Sequence, residues 1–361
     1  MPSCLCGEEI ADRFVFCPHC GIDLQWSAEM RGMPVSSSSR SLCRTLRACA
    51  TRTFERLAAG HFEGAAPNEE AFTQFNLQDL RQLHRDRVLI REFQRHEEAR
   101  NGADWEWWFH SGDVGFGMRV QAKRMKRGGG YDLEHVVRRT GRRQSQLLVQ
   151  DALATGCIPA YVLYNHRNWV PASELGRAVN CRHGLGEQTQ LGCTIVSALT
   201  VHAALRGPSV SPAQVRDRSM PWHRVLCDEP NNGQTGLEAA HAEVKALHRR
   251  GADDLLSAVR APILRALREQ TVVTPVRRQQ TDTGMPDQKL GESRPASLDD
   301  YLRRAEEEVL SMPVYEGLSE VADRPLSRLP DRVVAMLRGR VTEPPDDRVN
   351  GAVLVNLSSL P

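Results

Sequence analysis

GADWEWWF, residues 102–109, and GFGMRVQAKRM, residues 115–125, decide how this chain is read. Both are short, apolar and flanked by glycine, and HSGDVG (110–115) joins them as a hairpin turn. Alternate residues of a strand share a face. Asp104 opens the first strand, while Gln121 and Lys123 lie two apart at the end of the second. A hairpin sets that pair beside Asp104. A carboxylate and an amide oxygen are hard donors suited to Mg2+. Lys123 is placed to steer a water or to stabilise charge growing on a phosphate. Glu106, two residues after Asp104, is expected to face the same site, and Ala122 the core. Trp105 and Trp107 share one face and Trp108 the other, with packing expected for all three. The competing reading is a surface hairpin with polar residues in solvent, because D-x-E and Q-x-K alone carry little chemistry.

Working outward, Phe75, Leu77, Leu80 and Leu83 predict a helix over about Glu69–His84. Val88, Ile90 and Phe93 predict a strand. Gln144–Thr155 reads as a helix stopped by Gly156, and Ala160–Tyr164 as a strand entered from Pro159. Helix, strand, strand, strand, helix, strand implies an α/β domain with a mixed sheet. Upstream, a helix is expected from Leu42 to about Ala59, with Gly60–Pro67 as a loop. Downstream, residues 176–236 show no clear pattern, and Leu237–Arg268 is helical. Thr274–Pro295 reads as a flexible linker, Leu298–Leu310 as helical, and Gly351–Leu357 as a last strand returning to the sheet. There is no internal repeat.

The formal net charge of +2 says little about partners, but its distribution says more. Arg119–Arg143 carries nine Lys or Arg against two acids, and Glu69–Asp113 carries ten acids against six Arg. An acidic stretch followed by a basic one suits a site that holds a cation and a polyanion together. Arg124, Lys126 and Arg127 are the candidate nucleic-acid contacts, gripping phosphates without reading sequence. Ordinary surface charge is the alternative. No apolar run approaches a membrane span and the N-terminus lacks a signal pattern, so a cytoplasmic protein with no membrane partner is expected.

Cys4, Cys6, Cys17 and Cys20 form C-x-C-G and C-x2-C-G pairs. Four thiolates suit tetrahedral, structural Zn2+, which would supply the folding energy that so short a segment lacks. Only one residue separates the first pair, which leaves a distorted site or substitution by His19 open. The expected organisation is a zinc ribbon over 1–26, a linker over 27–41, and an α/β domain over 42–361. That domain carries a C-terminal helical extension and a flexible segment near 274–295. The ribbon is also a candidate protein-binding module. Cys181, His183, Cys193, His223 and Cys227 form a second, looser group. A further zinc site is one reading of it, and incidental packing is the blander one. A Cys–His hydrolase is disfavoured because no third orienting group is evident.

NEEAFTQFNLQDL (68–80), GADWEWWF, RVQAKRM (119–125), QSQLLVQDA (144–152) and PAYVLYN (159–165) together resemble the PD-(D/E)XK restriction-endonuclease-like superfamily. Within it they are most similar to an uncharacterised bacterial family of domain-of-unknown-function type. The resemblance spans roughly residues 68–165. It implies a restriction-endonuclease-like mixed sheet flanked by helices, and Mg2+-dependent phosphodiester hydrolysis, with DNA the first candidate substrate and restriction or antiphage defence the setting. By resemblance the catalytic set is Glu70 (or Glu69 if the register slips by one), Asp104, Gln121, Lys123 and Gln144. Asp104 and Gln121 would be the metal ligands. Gln121 stands where many members have Asp or Glu, resembling the Q-x-K variant of Mrr-like enzymes. The alternatives are a catalytically silent nucleic-acid-binding protein and a zinc-ribbon adaptor.

Overall fold

The computed structural model describes residues 41–92, 104–138, 141–167, 169–170, 181, 187–206, 211–227, 236–272, 324–340 and 349–358. All lie in the compact unit that begins at Ser41. The proposed zinc ribbon, His183, Phe93, the 274–295 linker and the 298–310 helix lie outside the described residues.

Helix α1 spans Leu42–Glu63 and α2 spans Glu69–Leu83. The first runs four residues further than its sequence predicts. Gly60 does not end it; it sits inside, where a Cβ would come within 2.7 Å of the Ala66 backbone. Gly60 therefore serves the close return of the following loop. Gly64, at φ 77°, makes the left-handed cap. Asn68 caps α2 by accepting from the Ala71 N–H at 3.0 Å.

The strands are β1 Val88–Glu92, β2 Trp105–Ser111 and β3 Val114–Arg124. A two-stranded ribbon follows (β4 Val136–Val137, β5 Arg142–Arg143), then α3 Gln144–Thr155 and β6 Ile158–Tyr164. The β2–β3 turn is the expected hairpin: Ser111 pairs with Val114, and Gly112 takes φ 59°. Helix α3 ends on Gly156 at φ 70°, as its sequence predicts. The region that resisted reading contains β7 Cys193–Ser197, α4 Ala198–Ala204, α5 Pro212–Asp217, β8 Met220–Pro221 and a 3-10 turn over Trp222–Leu226. Helix α6 spans Leu237–Val272. Short β9 (Ser327–Arg328), α7 (Asp331–Leu337) and β10 (Gly351–Asn356) follow.

The sheet runs β1-β10-β2-β3-β6-β7-β8, with β9 added beside β3. It is mixed. β10 lies parallel to β2, and β3 parallel to β6, while the other neighbours are antiparallel. The α/β expectation holds, and the final strand does return to the sheet, entering between β1 and β2. Trp105, Trp107, Phe109, Val120, Ala122 and Val162 pack on one face in a core with residues of α1, α2 and α6. Tyr161, Leu163 and Val196 pack on the other with α3 and α4, and Trp108 and Leu354 with α7. Among the described residues no helix is long and apolar enough to cross a membrane.

Candidate functional site

Asp104 sits at the mouth of β2, clamped by backbone on both sides. Its N–H donates to Val120 O at 2.8 Å, and its carbonyl accepts from Asn350 N at 2.9 Å. Its Oδ2 accepts from the Ala122 N–H at 2.9 Å and from Gln121 Nε2 at 2.7 Å. Its Oδ1 has no hydrogen-bond partner among the described residues. Burial pushes the Asp104 carboxyl from an ordinary 3.8 up to about 6. The Ala122 N–H, the Lys123 charge and Gln121 oppose that rise, and the Glu70 charge adds to it. Glu70 and Lys123 thus act on the same carboxylate from their separate elements.

Gln121 and Lys123 share the β3 face opposite Ala122, and both are buried. Gln121 Oε1 accepts from Gln144 Nε2 at 2.9 Å. Gln144 is the first residue of α3, and its own Oε1 is buried without a partner. An unbroken relay therefore runs Gln144 to Gln121 to Asp104 across three elements. The sequence placed Gln121 with its oxygen toward a cation. Here its nitrogen faces Asp104 instead.

Glu70 lies on the first turn of α2 and lines a cavity of about 390 Å3 with Asp104. The two neighbouring glutamates face different surroundings. Glu69 turns to Arg124, with Oε2 3.7 Å from Nε, while Glu70 borders the cavity. Glu92 at the end of β1 and Asn350 just before β10 are among the cavity residues that escaped the sequence reading. Only the insertion of β10 brings them there, and no local pattern announces it.

Glu106 does not serve this site. It shares the Asp104 face but is 1% exposed and locked in ion pairs. Arg119 Nη2 lies 2.6 Å from its Oε1, Arg332 Nη2 donates to Oε1 at 2.8 Å, and Trp108 Nε1 donates to Oε2 at 3.0 Å. Burial alone would raise the Glu106 carboxyl, but Arg332 and Arg119 outweigh it and hold the group below its ordinary value. Arg119 also pairs with Asp151 at 2.8 Å. Arg119 therefore belongs to the core, not to a basic surface. Trp108 packs as expected, its ring against Gly117, where a Cβ would sit 2.7 Å away, and Arg332 lies over it. Of the proposed phosphate contacts, Arg124 is half-buried beside Glu69, whereas Lys126 and Arg127 are exposed on the turn after β3.

A family model matches residues 42–337, most of the chain, including α2, the β2–β3 hairpin and α3. The chain belongs to DUF6615, a family of unknown function. No curated protein and no solved structure matches it.

Among its described residues, this DUF6615 chain has a cysteine cluster that could hold a metal ion. Cys43, Cys181 and Cys227 bring their sulfurs within 4.8 Å of one another. Cys181 and Cys227 belong to the second group seen in the sequence, but Cys43 was not part of it. Cys193, which was, lies elsewhere, its Sγ accepting from Asn76 Nδ2 at 3.8 Å. His223 is buried in the 3-10 turn and is not one of the clustered ligands. Pairing across such sequence distances leaves no spacing to recognise.

Proposed function

We propose that this protein is a Mg2+-dependent phosphodiesterase acting on nucleic acid, with DNA the first substrate to test. The observation that carries this is Asp104 itself: it lines one cavity with Glu70, it ends the Gln144–Gln121–Asp104 relay, and the charges of Lys123 and Glu70 both act on its carboxylate. The order α2, β1, β2, β3, α3, β6 also supports the restriction-endonuclease-like reading.

The donors fit a hard cation. Asp104 Oδ1 is open, and Glu70, Glu92, Asn68 and Asn350 line the same cavity with oxygen-bearing side chains. Asp104 would hold the ion, joined by Gln121 after its amide turns over. When bound, Mg2+ lowers the pKa of a coordinated water and polarises a phosphoryl oxygen. Turning Gln121 sends its nitrogen toward Gln144, whose buried Oε1 lacks a donor. Gln144 can thus support either orientation of its neighbour. Lys123 stabilises negative charge at the reacting phosphate, and Glu70 orients the attacking water. Lys126 and Arg127 grip flanking phosphates.

Two outcomes are expected at this site. Because Asp104 must be ionised to bind a cation, Mg2+ affinity should rise with pH up to about 6 and then level off. Titration calorimetry should give binding about tenfold weaker at about pH 5 than at about pH 7. A flat profile would mean that Asp104 is not a ligand. Secondly, Glu70→Gln should lower turnover by roughly 10- to 100-fold. Glu69→Gln, which breaks only a partly exposed pair, should change it by less than about threefold.

The deciding experiment incubates the purified chain with plasmid DNA and with RNA, in Mg2+ or in chelator, and measures binding in parallel. Mg2+-dependent strand cleavage supports the proposal. Binding without cleavage would replace it with a silent nucleic-acid-binding protein.

A further inference from the structure

We propose that Cys43, Cys181 and Cys227 bind a zinc ion as three thiolates, in a structural site independent of the cavity around Asp104. Cys43 stands on the first turn of α1, and Cys227 follows the 3-10 turn Trp222–Leu226. Cys181 comes from a separate segment. The three sulfurs converge from positions 138 and 46 residues apart along the chain.

The spacing is that of ligands to one ion. Cys43 Sγ and Cys181 Sγ lie 3.6 Å apart. Zn–S bonds of about 2.3 Å at tetrahedral angles put neighbouring sulfurs about 3.8 Å apart. A disulfide would need about 2.05 Å, and an odd number of thiols cannot all pair. Thiolates are soft donors, so Mg2+ and Ca2+ are poor occupants. The surroundings fit as well. Three thiolates leave a zinc site with one net negative charge. Arg47 Nη1 donates to Cys181 Sγ at 3.3 Å, which offsets that charge and orients the ligand.

The frame holding two of the ligands is already rigid. Trp222 Nε1 donates to Leu46 O at 2.8 Å, tying the 3-10 turn to α1 one helical turn beyond Cys43. Zinc would add Cys181, which lies between β6 and β7 in the chain, to that frame. Water or another donor completes the fourth corner.

The test uses the full chain, reduced and loaded with zinc. Native alkylation followed by peptide mass spectrometry compares the three cysteines with and without a zinc chelator. Cys43, Cys181 and Cys227 should be protected until chelation, with reactivity then rising at least about tenfold together. In parallel, metal analysis should show one fewer zinc equivalent in Cys181→Ser/Cys227→Ser than in the parent. Any zinc held by Cys4, Cys6, Cys17 and Cys20 is common to both proteins. Equal alkylation with and without chelator overturns the proposal even if the double variant folds poorly. So does a Cys43–Cys181 disulfide with no bound zinc, or loading by copper but not by zinc.

Discussion

Asp104→Asn and Lys123→Ala should each abolish Mg2+-dependent cleavage, by at least about 10²- to 10³-fold, while leaving the fold intact. The Asp104 change is the sharper test because its stability effect has an unusual sign. Burial raises the folded-state carboxyl to about 6 from 3.8. Below 3.8 both folded and unfolded chains hold the proton, and the stabilising linkage is fully present. It is lost as pH rises through about 6, so at neutral pH the folded protein carries a buried negative charge at a cost. Asparagine removes that cost and can still accept from the Ala122 N–H. The thermal midpoint of Asp104→Asn at about pH 7 should therefore equal or exceed the parent's, and the difference should shrink by about pH 4. Lost cleavage with a lowered midpoint would point to a structural role. Retained cleavage in both variants would remove the nuclease reading.

The second large effect lies in the core. Arg119→Met should destabilise the protein by about 3–5 kcal/mol, read as a lower urea midpoint with little change in slope. The side chain is fully buried between Glu106 and Asp151. Its loss takes the shared positive charge from between two buried carboxylates, while Glu106 keeps Arg332. Adding Glu106→Gln and Asp151→Asn to Arg119→Met should recover much of the loss, because the carboxylate charges that the arginine balanced go with it. If Arg119→Met unfolds like the parent, the network is not worth what its burial implies.

Local chemistry made much of this molecule readable. The Gly112 turn, the Asn68 cap and the Gly156 stop each act within a few residues, so the hairpin and its flanking helices follow from sequence. Asp104 beside Gln121 follows from the hairpin alone. Alternation gives a face, however, not a neighbour. Glu106 shares the face of Asp104, yet Arg332, 226 residues away, claims it. Glu92, Asn350 and Cys43 were missed for the same reason: each acquires its partners through chain crossings that no spacing records. The basic run misled at Arg119, because a charge count cannot separate a solvated arginine from one sealed against two acids.

The placement of β10 has a consequence for how the protein is made. Strands β1 and β2 never touch; residues 351–356 separate them, and Asn350 holds the backbone of Asp104. While the chain emerges from the ribosome, Glu70, Asp104 and Lys123 are all outside long before the strand that separates β1 from β2 and clamps Asp104. On the proposed reading, a nascent or prematurely terminated polypeptide would carry these three groups without the strand that holds Asp104 in place, and should not cleave nucleic acid.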